Sequence, residues 1–212
     1  VATGTLRMQD GLFLGAMTIE STGPLIHSSN WDGGDGTVKV TGAARTINLG
    51  ENGKFPQLVL LSSGTVVNLV GTASTTLNNV TIGAGTLNAN TSEVGIYTHL
   101  YLDGSGASYV GGSNGDKIFQ SLYVLNNASV SSGGGYFNVG YQTISQGTLD
   151  LSRTTRVWYE GTNGSVAINS GTYRAPSTTV FNGTSWTYNG AATYHHGHGI
   201  VYFLGGNQSI VG

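Results

Sequence analysis

The chain has 212 residues, of which 8% are charged, and a formal net charge of −2, so it lacks the basic surface that nucleic acid or an anionic membrane requires. It contains no Cys, which excludes a disulfide framework, thiol catalysis and cysteine-ligated zinc, though not secretion. Gly supplies 35 residues, and low charge with few helix formers leaves either disorder or a turn-rich β protein; short alternating runs of Val, Ile, Leu, Tyr and Phe decide for a folded β chain.

In chain order, the opening at Val1 carries neither Met nor a signal sequence, and a processed or excised chain is expected. The most apolar stretch, residues 12–17 (LFLGAM), is far too short to cross a membrane. Strands are then predicted at residues 37–41 (TVKVT), 58–61 (LVLL), 65–70 (TVVNLV), 122–125 (LYVL), 148–151 (TLDL) and 201–204 (VYFL). Gly, Asn and Ser clusters separate them, Pro occurs only at positions 24, 56 and 176, and no window has helical periodicity.

Self-similarity selects among the all-β folds. The pattern Ile-x-x-Gly-Thr-(Leu/Tyr) recurs at Ile82, Ile144 and Ile168, the last two 24 residues apart. A longer match sets Phe55 to Val66 against Phe119 to Val130, an offset of 64, which corresponds to three coils of about 21 residues. A third match sets Gly34 to Ile47 against Gly197 to Ile210, an offset of 163, and Gly4-Thr5-Leu6-Arg7 echoes Gly171-Thr172-Tyr173-Arg174. Residues 1–212 therefore read as a single solenoid segment holding one long repeat of about 163 residues and the start of the next.

Coils that stack in parallel put equivalent positions about 4.8 Å apart in columns. Such columns set Ile82, Ile144 and Ile168 inward, Gly85, Gly147 and Gly171 at bends, and Thr86, Thr148 and Thr172 outward. In this register Asp150 lies beside Arg174 on the outside, with Ile144 over Ile168 within. The expected fold is an all-β, right-handed parallel β-helix, or β-solenoid, of about ten coils of 20–24 residues.

The strings TIGAGTLNAN, TISQGTLDLS, AINSGTYRAP, FNGTSWTYNG and GHGIVYFLGGNQSI resemble the repetitive β-helix regions of large bacterial surface proteins, in the style of autotransporter passengers and filamentous-haemagglutinin-like adhesins. That resemblance implies a stalk or display surface outside the cell, with no catalytic motif to carry over.

His195, His196 and His198 are the one candidate metal cluster. The 163-residue match sets His195 and His198 opposite Asp32 and Asp35, which makes a tolerant polar turn the simpler reading. The segments Gly33 to Gly36 and Gly111 to Asp116 hint at a calcium nonapeptide but do not repeat in tandem as that motif requires. A carbohydrate-cleaving β-helix, such as a polysaccharide lyase or phage tailspike, needs paired carboxylates. Asp103 and Asp116, with Glu93 close by, are the nearest set on neighbouring coils, though isolated carboxylates usually only solubilise a surface. Tyr97, Tyr101, Tyr109, Tyr123, Trp158, Tyr159, Trp186 and Tyr188 offer aromatic platforms for sugars, with about half of them expected in the core. Sequons stand at Asn79, Asn90, Asn127, Asn163, Asn182 and Asn207.

These readings converge on a structural rod in an extracellular tandem-repeat protein, an adhesin or filament, with no catalytic residues and no cofactor. Its expected partners are neighbouring solenoid repeats, copies stacked end to end, and surface glycans; nucleic acid and membrane insertion are not expected. The alternative is a carbohydrate-binding or carbohydrate-cleaving β-helix.

Overall fold

Alternation of apolar and polar residues over four- to five-residue runs produces strands with one buried face, and here the buried faces all point to one axis. A computed structural model of the chain describes residues 6–8, 11–12, 18–21, 25–27, 31–32, 36–41, 45–49, 54–55, 57–70, 75–90, 93–160 and 164–212. Every strand in them pairs in parallel with its counterpart one coil away, and the ladders form a β-solenoid. Each coil has three strands, so the solenoid has three walls. The first wall runs through Val94–Ile96, Arg156–Tyr159, Thr178–Phe181 and Ile200–Phe203; the second through Gln57–Leu60, Val80–Ile82, His99–Asp103, Ser165–Ile168 and Ser185–Tyr188. The third is a ten-stranded sheet that includes Val66–Val70, Gly85–Asn88, Ala107–Val110, Gly147–Asp150, Gly171–Arg174 and Ala192–His195.

In two coils the corner between the first two walls is bridged without a break. Asp116–Leu125 pairs through its first half with Val94–Ile96 and through its second with His99–Asp103. Tyr136–Ser145 follows it, with a register shift between Ile118 and Ser121. Coil length varies: Val80 pairs with Leu100 but Ile144 pairs with Ile168, so one coil takes 20 residues and another 24. The fully described length makes about seven turns, and the third wall carries ten strands, one per coil, against the ten coils expected from dividing the whole length by 21. The ten-stranded wall also includes Leu6–Met8, Leu25–His27 and Arg45–Leu49, from opening coils of which little else is described.

The short-range register is the expected one. Ile144 stacks on Ile168, Thr148 on Thr172 and Asp150 on Arg174. Ile144, Leu149, Ile168 and Tyr173 are fully buried. The expected column from Ile82 to Ile144 is completed by Leu102 and Val124, so an offset of 62 is three coils. At the bend that opens the third wall, Gly85 and Gly171 have φ of +92° and +91°, where only Gly is unstrained. A Cβ on Gly85 would also lie 2.7 Å from the Thr65 carbonyl oxygen, and one on Gly171 would collide with that of Gly147.

Two longer matches align differently in space. Leu58 reaches Leu122 through Val80 and Leu100, as the 64-residue offset requires. Phe55, however, shares its column with Leu77, Ile96 and Ile118, not with Phe119, because the later coil carries one more residue at the corner; Phe119 is exposed there. In the 163-residue match Val38 lies on the second wall and Val201 on the first. Those two copies therefore do not stack as equivalents.

Candidate functional site

Inward columns normally carry apolar side chains, since an unpaired buried polar group costs roughly 1–3 kcal/mol. Several buried positions carry polar side chains instead, and two of them, Asp116 and Gln142, accept from a buried tyrosine hydroxyl. Asp116 occupies the column of Val94 and Phe137. It is 1% exposed, accepts a 2.7 Å hydrogen bond from the Tyr109 hydroxyl and bonds of 3.1–3.2 Å from the Gly112 amide. Burial raises its pKa to about 7, against the lowering effect of Tyr109 and Gly112 and with a further push from the Glu93 charge. Gln142 occupies the column of Leu122 and Val166, and its Oε1 accepts a 2.7 Å hydrogen bond from the Tyr159 hydroxyl. The Tyr159 and Tyr173 hydroxyls lie 3.3 Å apart in the same buried interior; burial first, then Tyr173 and Tyr194, hold the Tyr159 phenol far above its usual pKa.

The carboxylates proposed as a pair do not meet. Asp103 ends a second-wall strand and pairs with Leu125; Asp116 begins a first-wall strand, at a different corner. Adjacency in sequence does not imply proximity on a solenoid, where one coil turns through three walls. Asp103 is occupied by the Tyr101 hydroxyl at 3.2 Å and the Asn126 amide at 2.6 Å. Glu93 stands nearer Asp116 and hydrogen-bonds Tyr136, whose hydroxyl is pushed up to about 12 by burial and then by Glu93. The Gly111 to Asp116 segment is thus a turn, exposed at Ser113 and Asn114, that closes over Asp116, whose carboxylate faces Tyr109 and the Gly112 amide.

His195, His196 and His198 are exposed. The His198 amide donates to His196 Nδ1 at 3.1 Å, while His195 pairs in the ladder with Arg174. Among the described residues no group of three or more His, Asp or Glu side chains is placed to hold an ion. His195 and Asp32, matched by the 163-residue offset, lie on different walls; Asp35 falls outside the described residues.

The aromatic residues divide. Tyr109, Tyr159 and Trp186 are buried, whereas Tyr97 and Trp158 are exposed and Tyr101 and Tyr123 are half-buried with rings outward. On the second wall Tyr123 gathers Tyr101 at 5.6 Å, Tyr141 at 5.9 Å and His99 at 6.1 Å between ring centroids. At the adjoining corner Tyr97 and Phe119 stack at 5.1 Å. Tyr141 and Phe119 escape the sequence reading because their outward direction depends on how many residues each corner takes. Of the sequons, Asn90 spends its amide on the Leu69 carbonyl at 2.9 Å, Asn127 and Asn207 are exposed, and Asn163 lies outside the described residues.

No family model matches the chain, nor does any curated protein or solved structure.

Proposed function

We propose that the chain is a structural rod segment of an extracellular repetitive surface protein, an adhesin or filament, and not an enzyme. The observation that carries this reading is the parallel ladder itself, in which each wall stacks strand on strand from coil to coil, Ile144 over Ile168 and Thr148 over Thr172. A stack in which each coil touches only its neighbours is the architecture of a rod, and further solenoid coils, in the same array or in a second copy, are the partners proposed for it. In the 212-residue chain Ile200, Leu204 and Ile210 are 56%, 61% and 62% exposed, which makes them the contact to test between copies. Support for a non-catalytic role comes from the carboxylates, since Asp116 is sealed in the core and Asp103 is tied to neighbours. The likeness of TIGAGTLNAN and TISQGTLDLS to autotransporter and haemagglutinin-like passengers supports a place outside the cell.

The test is the state of the purified chain. Sedimentation velocity should show association that grows with concentration, and negative-stain images should show rods one solenoid wide. Leu204→Lys with Ile210→Lys should abolish both. A chain that stays monomeric at high concentration with its native edge would refute end-to-end stacking. Product release from polysaccharides, lost in Asp103→Asn or Asp116→Asn, would replace the rod with an enzyme.

A further inference from the structure

The corner between the first and second walls carries two features that no packing requirement explains. The first is a groove along the axis lined by Gly36, Gln57, Asn78, Asn79, Thr98 and His99. Its residues belong to four successive coils, so at about 4.8 Å per coil it is on the order of 14 Å long. None of them is an acid, a Lys or an Arg. Beyond Gly36, its side chains are amides, a hydroxyl and an imidazole, a lining that both donates and accepts, and Asn78 in it is exposed. A ligand hydroxyl, itself both donor and acceptor, matches such a lining.

The second feature begins at the same histidine. His99, Tyr101, Tyr123 and Tyr141 form a continuous outward aromatic patch over three coils, and Tyr97 with Phe119 continues the corner beyond Thr98. The rings are held in place: the Tyr101 hydroxyl donates to Asp103, and the Tyr141 hydroxyl accepts from Thr143 at 2.9 Å. Tethering of this kind lowers the ordering cost of binding.

We propose that this corner and the adjoining second wall form a binding site for a neutral polysaccharide, whose ring faces lie on the aromatic patch while its hydroxyls pair with the amide, hydroxyl and imidazole groups that line the groove. Ligand sites combine apolar and aromatic surface with a few placed polar groups, and this corner has both. The groove lining carries no charge that would favour an acidic glycan, although Lys117 lies over the Phe119 ring at 4.8 Å beside it. The inference stands on the wall geometry alone and does not depend on the end-to-end stacking above.

The experiment is native electrophoresis of the whole chain through gels containing hydroxyethylcellulose, galactomannan or dextran, with alginate as the acidic comparison. Retardation by at least one neutral polymer, and not by alginate, is expected. Tyr123→Ala should weaken it roughly three- to tenfold, as the loss of one aromatic partner implies, while Tyr123→Phe retains it. His99→Ala and Asn79→Ala should each weaken it. Trp158→Ala, an outward aromatic on the first wall, should change nothing. Because Tyr123 and Trp158 face outward, both variants should keep the native far-UV circular dichroism and remain folded under the conditions of the gels, which separates lost binding from lost fold. Absence of retardation in every neutral gel, retardation by alginate alone, or native-like retardation of Tyr123→Ala would each overturn the proposal.

Discussion

The Tyr109 hydroxyl donates to Asp116 Oδ1 at 2.7 Å inside a corner where both residues are essentially unexposed. A carboxyl in that position is costly when ionised, and the hydrogen bonds from Tyr109 and Gly112 only partly offset the lost hydration. The corner is therefore a place where proton binding and folding are coupled.

Asp116 titrates near 3.8 when unfolded and at about 7 when folded, so between those values the native state holds a proton that the unfolded chain has released. Its contribution to stability is complete below pH 3.8 and is lost as pH rises through about 7. The slope approaches roughly 1.4 kcal/mol per pH unit for one group. Denaturant unfolding at pH 4.5, 6, 7 and 8.5 should show stability falling across the first three points and levelling at the last. In Asp116→Asn the fall should vanish, whatever the variant's absolute stability; parallel profiles for the two proteins would disprove the coupling. Asp150 acts in the opposite direction and at lower pH. Burial raises its pKa, but the Ser152 hydroxyl and amide, and then Arg174, outweigh that and hold it below 3.8. Its contribution is lost only in stronger acid.

Gly111 makes the same corner feasible by having no side chain, since a Cβ there would collide with Asp116 Oδ2. Gly111→Ala should cost about 1–3 kcal/mol by overpacking. By expelling the carboxyl, it should also flatten the pH profile just described. Gly206→Ala, where a Cβ meets nothing within 4 Å, should stay within about 0.5 kcal/mol of the native chain. Equal effects from the two substitutions, measured by urea unfolding, would rule out the steric account.

The local register could be read from the sequence because the Ile-x-x-Gly-Thr pattern lies within one bend and its two flanking strands, where alternation and the Gly requirement act over a few residues. That placed Ile144 over Ile168 and Asp150 beside Arg174. What could not be read depends on corner length. One extra residue moves Phe119 out of the column of Phe55, and a three-walled coil puts Asp103 and Asp116 at separate corners although only twelve residues lie between them. Asp116 and Gln142 were illegible for another reason: each is a polar residue at an inward position, and its partner, Tyr109 or Tyr159, comes from another strand. The aromatic patch was half legible, since residue type announced it but only the walls decide which rings face out.

Gln142 gives the clearest test of partnered polarity in the core. Tyr159→Phe removes the donor to Gln142 Oε1 and should cost about 1–3 kcal/mol, the penalty of an orphaned buried acceptor. Gln142→Leu matches the neighbouring Leu122 in its column and removes the acceptor instead. The double variant should therefore recover most of the Tyr159→Phe loss, because replacing both partners by apolar groups of similar shape is nearly neutral. Additive losses in a double-mutant cycle would show that the hydrogen bond is not what ties the two residues.

The ladder itself can be divided into what marks the register and what enforces it. Arg174 Nη1 lies 3.4 Å from Asp150 Oδ2, but the two side chains are 46% and 31% exposed, so solvent and salt screen the pair to about 0.2–1 kcal/mol. Ile144 and Ile168, directly paired and fully buried, each contribute on the order of 1.5–3 kcal/mol from burial alone. Asp150→Asn should therefore cost well under about 1 kcal/mol, partly because Asn can still accept from the Ser152 amide at the Oδ1 position. Ile144→Ala should cost about 2–5 kcal/mol through lost burial and the cavity left between coils. Raising salt from 0.05 to 1 M should shrink the first effect and leave the second unchanged, since screening acts on exposed charges and not on packed methyl groups. Unfolding curves for the two variants at both salt concentrations decide it. If Asp150→Asn were the more damaging, the charge pair and not the isoleucine column would be holding the coils in register.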